Sequence, residues 1–168
     1  MDGRGTNARS RDWRNATYMQ LGVKEAEDQI SAAKYLKTLP YVDANRMAIC
    51  GWSYGGYETL MCLSKQAELV WKCGIAIAPV TSWRLYDSAY TERYMRRPQV
   101  NEFGYEKADV MNMAKEATRI QFAQYGMLNI PEEVLENYAK EMLKKQESVE
   151  GLVNRAAESK LSAALKAK

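Results

Sequence analysis

The chain has 168 residues, which is enough for one ordinary domain or two small ones, and a net charge of +3. That charge is mild, and a nucleic-acid interface would need a larger basic excess gathered into a stripe. No apolar run approaches the ~20 residues that span a bilayer, and the start Met1-Asp2-Gly3-Arg4 is polar, so neither a membrane span nor an export signal is expected.

The first predicted element is a helix. Val23, Ala26, Ile30, Ala33 and Tyr35/Leu36 recur at helical spacing and end before Pro40. Met47-Ala48-Ile49-Cys50 is a short apolar run between polar turns, suited to a buried strand. Tyr57 to Ser64 follows as a helix, and Cys73-Gly74-Ile75-Ala76-Ile77-Ala78 as a second buried strand stopped by Pro79. Alternation of helix and strand predicts an α/β fold with parallel pairing.

Composition changes near residues 105–118. All four tryptophans and nine of the eleven tyrosines precede residue 109, and later glycines occur only at 126 and 151. The remainder is rich in strong helix formers. It divides into a helix from about Ala108 to Tyr125, one opened by Pro131 with Glu132 and Glu133 at its positive end, and one capped by Ser148. Its carboxylates and lysines alternate as on a solvated helical face.

The motif that carries chemistry is Gly51-Trp52-Ser53-Tyr54-Gly55, between the first strand and the helix after it. A serine on a tight strand-to-helix turn projects its hydroxyl above the sheet, and flanking glycines are expected to relieve crowding. The next N–H, of Tyr54, opens a helix and can stabilise an oxyanion. Such a serine needs a base. After Ser53 the chain offers Asp87, Asp109 and several glutamates, but the sequence contains no histidine, and no lysine spacing marks a substitute.

A second constellation follows the second strand. Val80, Trp83, Tyr86 and Tyr90 are spaced by three and four, so a helical segment would place them on one face, either as core or as the lining of an apolar pocket beside Ser53. The cysteines, Cys50, Cys62 and Cys73, are odd in number and include no Cys-x-x-Cys pair. They are expected to be reduced and buried, and neither a metal site nor a cofactor is expected.

Residues 1 to about 113 resemble the catalytic domain of dipeptidyl peptidase IV-type enzymes of the prolyl oligopeptidase family. The carrying stretches are Asp2-Gly3-Arg4-Gly5, Tyr41-Val42-Asp43, Gly51-Trp52-Ser53-Tyr54-Gly55-Gly56-Tyr57, Ile75-Ala76-Ile77-Ala78-Pro79-Val80 and Tyr90-Thr91-Glu92-Arg93-Tyr94. The resemblance implies a partial α/β-hydrolase core with Ser53 as nucleophile and the Tyr54 N–H in the oxyanion hole. It further implies that Tyr54, Val80, Trp83, Tyr86 and Tyr90 line a pocket for a proline ring, so that the substrate is a peptide with proline at the penultimate position. The family's upstream propeller and oxyanion tyrosine, its downstream acid and histidine, and the cysteine that would pair with Cys73 are not among these residues.

Residues from about Lys115 to Lys168 resemble the helical C-terminal chaperone domain of bacterial trigger factor. The run is carried by Arg119-Ile120-Gln121-Phe122-Ala123-Gln124-Tyr125-Gly126-Met127, with Pro131-Glu132-Glu133-Val134-Leu135 and Tyr138-Ala139-Lys140-Glu141-Met142-Leu143. This resemblance implies an arm that holds unfolded polypeptide. Together the two predict domains of 1–113 and 114–168, a serine site inactive by itself, and an open sheet edge. Localisation stays divided, because the peptidase family is usually exported and trigger factor is cytoplasmic.

Overall fold

The structure, a computed structural model, describes residues 1–65, 70–115, 131–137 and 140–141. The predicted helix from Val149 onward and most of the one expected over Ala108–Tyr125 lie outside the described residues.

Helix α1 (Arg11–Asn15) begins at Ser10, whose Oγ accepts from the Trp13 N–H at 3.1 Å. Helix α2 (Val23–Leu36) starts after Gly22, which has φ +76°. Glycine is needed there twice over. A side chain would be strained at that φ, and its Cβ would overlap the Tyr57 ring and hydroxyl. On α2, Ala26 and Ala33 are buried, and their small size lets the helix pack closely on α3 (Tyr54–Ser64).

Strand β1 (Ala48–Trp52) leads into α3, and β2 (Cys73–Ile77) returns parallel to β1. The register runs from Ala48 opposite Cys73 to Trp52 opposite Ile77. Helix α3 covers one face of this pair and is the hub of the core, with Tyr57, Met61 and Cys62 fully buried. Around it pack Leu21, Trp83, Met95 and Val110. A 3-10 turn (Trp83–Leu85), α4 (Ser88–Met95) and α5 (Glu102–Lys107) follow β2, and residues 110–115, 132–137 and 140–141 are also helical.

Tyr57 acts as a central tie. Its hydroxyl lies 2.8 Å from the Leu21 carbonyl and 2.9 Å from the Ala108 carbonyl, residues far apart in sequence. Asn101 makes a second tie: its Nδ2 donates to the carbonyls of Met19 and Met95, each at 2.9 Å. Arg4 locks the N-terminal segment to α2, with Nη2 donating to Asp28 Oδ1 at 2.6 Å and to Glu27 Oε2 at 3.1 Å.

Several expectations need correction. The strands are not buried. Ala48, Cys50, Trp52, Cys73 and Ile77 are exposed, Trp52 at 73%, because among the described residues the sheet has two strands and a helix on one face only. For the same reason Cys50 and Cys73 are exposed and only Cys62 is buried. Helix α3 begins at Tyr54 rather than Tyr57, directly at the serine. The segment bearing Trp83, Tyr86 and Tyr90 is not one helix but a 3-10 turn and the start of α4.

Candidate active site

Ser53 stands between β1 and α3 with φ +56° and ψ −114°, a conformation that a residue with a Cβ adopts only under strain. Its N–H donates to the Ile77 carbonyl at 2.9 Å, which extends the parallel pairing one residue past β1 and fixes the turn against the end of β2. Ala78, directly after β2, is also at positive φ (+44°), so both strands end in strained turns at the same edge.

The glycines divide their work differently from the sequence expectation. A Cβ on Gly51 would overlap the carbonyl of Gly55, so β1 and the first turn of α3 touch only because residue 51 is glycine. Gly55 itself faces open space. The second tight position is Gly56, where a Cβ would meet the Ile77 carbonyl at 2.8 Å and the Pro79 Cβ at 3.2 Å.

Ser53 is exposed, and among the described residues no hydrogen bond engages its hydroxyl. Beside it lies an open cavity of about 220 Å³, lined in part by Pro79, Val80, Ser82 and Tyr86. Tyr54 opens α3, so its N–H is one of the donors that a helix leaves without an internal acceptor. Neither a histidine nor a lysine lines this cavity. Asp87 and Asp109, the aspartates after Ser53, are used as caps. Asp87 Oδ1 accepts from the Tyr90 N–H at 2.9 Å, and Asp109 Oδ1 from the Met111 N–H at 2.9 Å.

The predicted aromatic residues do come together, through Trp83. Its ring stacks on Tyr90 with centroids 5.8 Å apart and meets Tyr86 edge-on at 5.8 Å, while Tyr54 lies 5.7 Å away. Trp83 is only 2% exposed, whereas Tyr86 and Tyr90 are 46% and 37% exposed. Trp83 is therefore the buried backing of the cluster, and Tyr86 and Tyr90 present its accessible surface. Val80 and Tyr86 border the Ser53 cavity, whereas Tyr54 and Tyr90 border a larger neighbouring one.

Sequence reasoning missed what holds Tyr54. Its hydroxyl donates to Glu25 Oε1 at 2.8 Å, across 29 positions of sequence. Burial raises the Glu25 pKa, only partly opposed by hydrogen bonds from its own and the Gly22 backbone and from Tyr54. Glu58 on α3 is pushed up to about 8, by burial first and by the Glu25 charge second. Its contact with the Cys62 thiol, 3.7 Å from Sγ, opposes the rise. No motif marks these two acids. Their helical positions make them look like surface residues until α2 and α3 are packed together.

Comparison with known proteins places the whole segment that carries this turn. The model of the prolyl oligopeptidase family matches residues 1–144. The chain belongs to this family. Among curated relatives described as "Probable dipeptidyl-aminopeptidase B", that of Metarhizium robertsii is 54% identical over 112 residues, covering 67% of this chain and 12% of the relative. That of Trichophyton verrucosum is 50% identical over 122 residues, covering 73% and 14%. The crystal structure of dipeptidyl peptidase 4 from Porphyromonas gingivalis superposes with a TM-score of 0.65 at 56% identity, covering 68% of this chain and 16% of that one. The chain thus spans roughly an eighth of the length of these curated relatives. The comparisons support the peptidase resemblance and give no support to the trigger factor one.

Among the described residues no helix is long and apolar enough to cross a membrane, and no group of three or more His, Cys, Asp or Glu is placed to hold a metal ion.

Proposed function

We propose that Ser53 is the nucleophile of a serine-peptidase site that takes peptides with proline at the penultimate position, and that these 168 residues do not turn over substrate by themselves. The observation that carries the reading is the strained, exposed Ser53 at the mouth of a cavity bordered by Val80 and Tyr86. Relatives described as probable dipeptidyl-aminopeptidases support a peptide substrate, and the preference for proline is part of the proposal.

The chemistry follows from the geometry. Loss of the Ser53 Oγ proton to a base would let Oγ attack the carbonyl carbon of the prolyl residue. The negative charge then develops on the carbonyl oxygen, where the Tyr54 N–H is free to donate. Collapse expels the amine of the following residue, which must receive a proton, and water completes hydrolysis of the acyl-enzyme. The proline ring, flat and apolar, would rest against Tyr86 and Tyr90, with Trp83 holding those rings from behind.

The sequence contains no histidine, so no histidine of this chain can accept or return the proton. Losing the triad histidine removes about 10⁶ of the rate in a serine protease, which is why turnover by these residues alone is expected to be undetectable. Binding can still be measured. Saturation-transfer NMR with Ala-Pro-amide and Ala-Ala-amide should show saturation of the proline ring protons, lost in Tyr86→Ala and Tyr90→Ala. Equal transfer to both peptides, unchanged by either substitution, would remove the proline reading.

A further inference from the structure

Helix α3 starts without the side-chain cap that commonly secures a helix end. Its N-cap is Ser53 itself, at φ +56°, and the Ser53 side chain makes no cap hydrogen bond. A first turn without a cap is prone to fray, because its N–H groups have no acceptor inside the helix. The first N–H of this turn is that of Tyr54, the proposed oxyanion donor. A donor stabilises developing charge well only when it is held in place beforehand. Something other than a cap must hold this one.

Glu25 grips Tyr54 from a neighbouring helix. Its Oε1 accepts from the Tyr54 hydroxyl at 2.8 Å, so Tyr54 is anchored at the far end of its side chain. Glu25 lies in the first turn of α2, and α2 packs directly on α3. The Tyr54 ring is held as well, by Trp83 with centroids 5.7 Å apart and by Tyr57 edge-on at 5.6 Å. The residue at the head of α3 is therefore fixed at its ring and at its hydroxyl.

Stability alone does not explain the acid. Glu25 Oε2 is buried with no hydrogen-bond partner among the described residues. A half-satisfied buried carboxylate is costly, and an apolar pair of similar shape is often neutral or better. The helix dipole favours an acid in the first turn, but that benefit needs neither burial nor a phenol partner. We infer that Glu25 is a positioning residue for the Ser53 reaction, acting through the Tyr54 hydroxyl to hold the Tyr54 N–H where the prolyl carbonyl oxygen gains its charge. This rests on the reading of Ser53 given above.

The boronic acid analogue of Ala-Pro tests the role. When it binds at Ser53, Oγ bonds to the trigonal boron, the Oγ proton passes to solvent, and the tetrahedral boronate carries the negative charge that the donor must meet. Ala-Pro-amide occupies the same pocket without that charge. Both are titrated calorimetrically into the 168-residue chain. Glu25→Met and Tyr54→Phe should each weaken the boronate by about tenfold or more and the amide by less than about threefold. The double variant should bind the boronate no worse than either single one and should unfold in urea no earlier than wild type. Glu25→Gln keeps an acceptor oxygen for the phenol and should retain most of the boronate affinity. Glu27→Gln loses contacts with Arg4, Lys24 and Lys65 on the same helix and should change neither affinity. Equal losses for both ligands in Glu25→Met would make Glu25 a structural contact only and refute the role. If Glu25→Met binds the boronate as wild type does, while Ser53→Ala does not, the role is refuted and the Ser53 reading stands. If Ser53→Ala binds the boronate as tightly as wild type, the Ser53 reading falls and this inference falls with it.

Discussion

Replacing Ser53 by glycine should stabilise the protein, although it deletes the proposed nucleophile. The φ of +56° at ψ −114° places Ser53 where a side chain is strained, at a cost of roughly 1–3 kcal/mol. Glycine removes that strain but loses about 0.5–1 kcal/mol through the larger freedom of the unfolded chain. The net expectation is a gain of about 0.5–2 kcal/mol for Ser53→Gly. Ser53→Ala keeps the Cβ and with it the strain. It removes a hydroxyl that is exposed and makes no hydrogen bond among the described residues, and Ser53 makes no side-chain cap on α3, so its stability should stay near wild type. Urea unfolding of the three proteins, followed by tryptophan fluorescence, gives the comparison directly. A Ser53→Gly protein no more stable than Ser53→Ala would show that the turn stores no strain, and the argument for a built nucleophile turn would lose its energetic support.

Two further outcomes follow from buried groups around α3. Tyr57→Phe leaves the carbonyls of Leu21 and Ala108 without their shared hydroxyl and should cost about 1–3 kcal/mol in urea unfolding. A loss within error of zero would mean that Tyr57 is not the tie described. Glu58 has a folded pKa of about 8, above its ordinary value of 4.5, so the folded state holds a proton that the unfolded state releases across that interval. Stability from this group is therefore complete below pH 4.5 and is lost as pH rises towards 8. Glu58→Gln should flatten that decline and be more stable than wild type near pH 8, by up to a few kcal/mol. Parallel unfolding profiles for the two proteins would refute the assignment.

Much of the site was legible in sequence because local chemistry dictates it. The apolar runs at 47–50 and 73–78 yield β1 and β2, and the Gly-x-Ser-x-Gly spacing places Ser53 on the turn. The spacing of Trp83, Tyr86 and Tyr90 identified aromatic residues that do converge, but for a partly different reason. Helical periodicity was expected to align them, whereas Trp83 gathers them from two short elements by burying itself against Tyr57 at 5.1 Å. Exposure of the strands was not legible residue by residue. An apolar run signals a preference for burial, and whether burial occurs depends on what lies on both sides of the sheet. The Tyr54–Glu25 contact, the Arg4–Asp28 lock and the conversion of Asp87 and Asp109 into caps were equally hidden. Each pairs groups by three-dimensional placement or by one backbone N–H, and none leaves a periodic trace.

The central claim is that Ser53 sits on a nucleophile turn without an activating base in these 168 residues. It is tested most directly by treating the purified chain with a fluorophosphonate probe and locating the label by mass spectrometry. Labelling should be absent or very slow, with any slow adduct confined to Ser53. Rapid, stoichiometric labelling that disappears in Ser53→Ala would contradict the claim and would mean that the chain activates its serine by some other group.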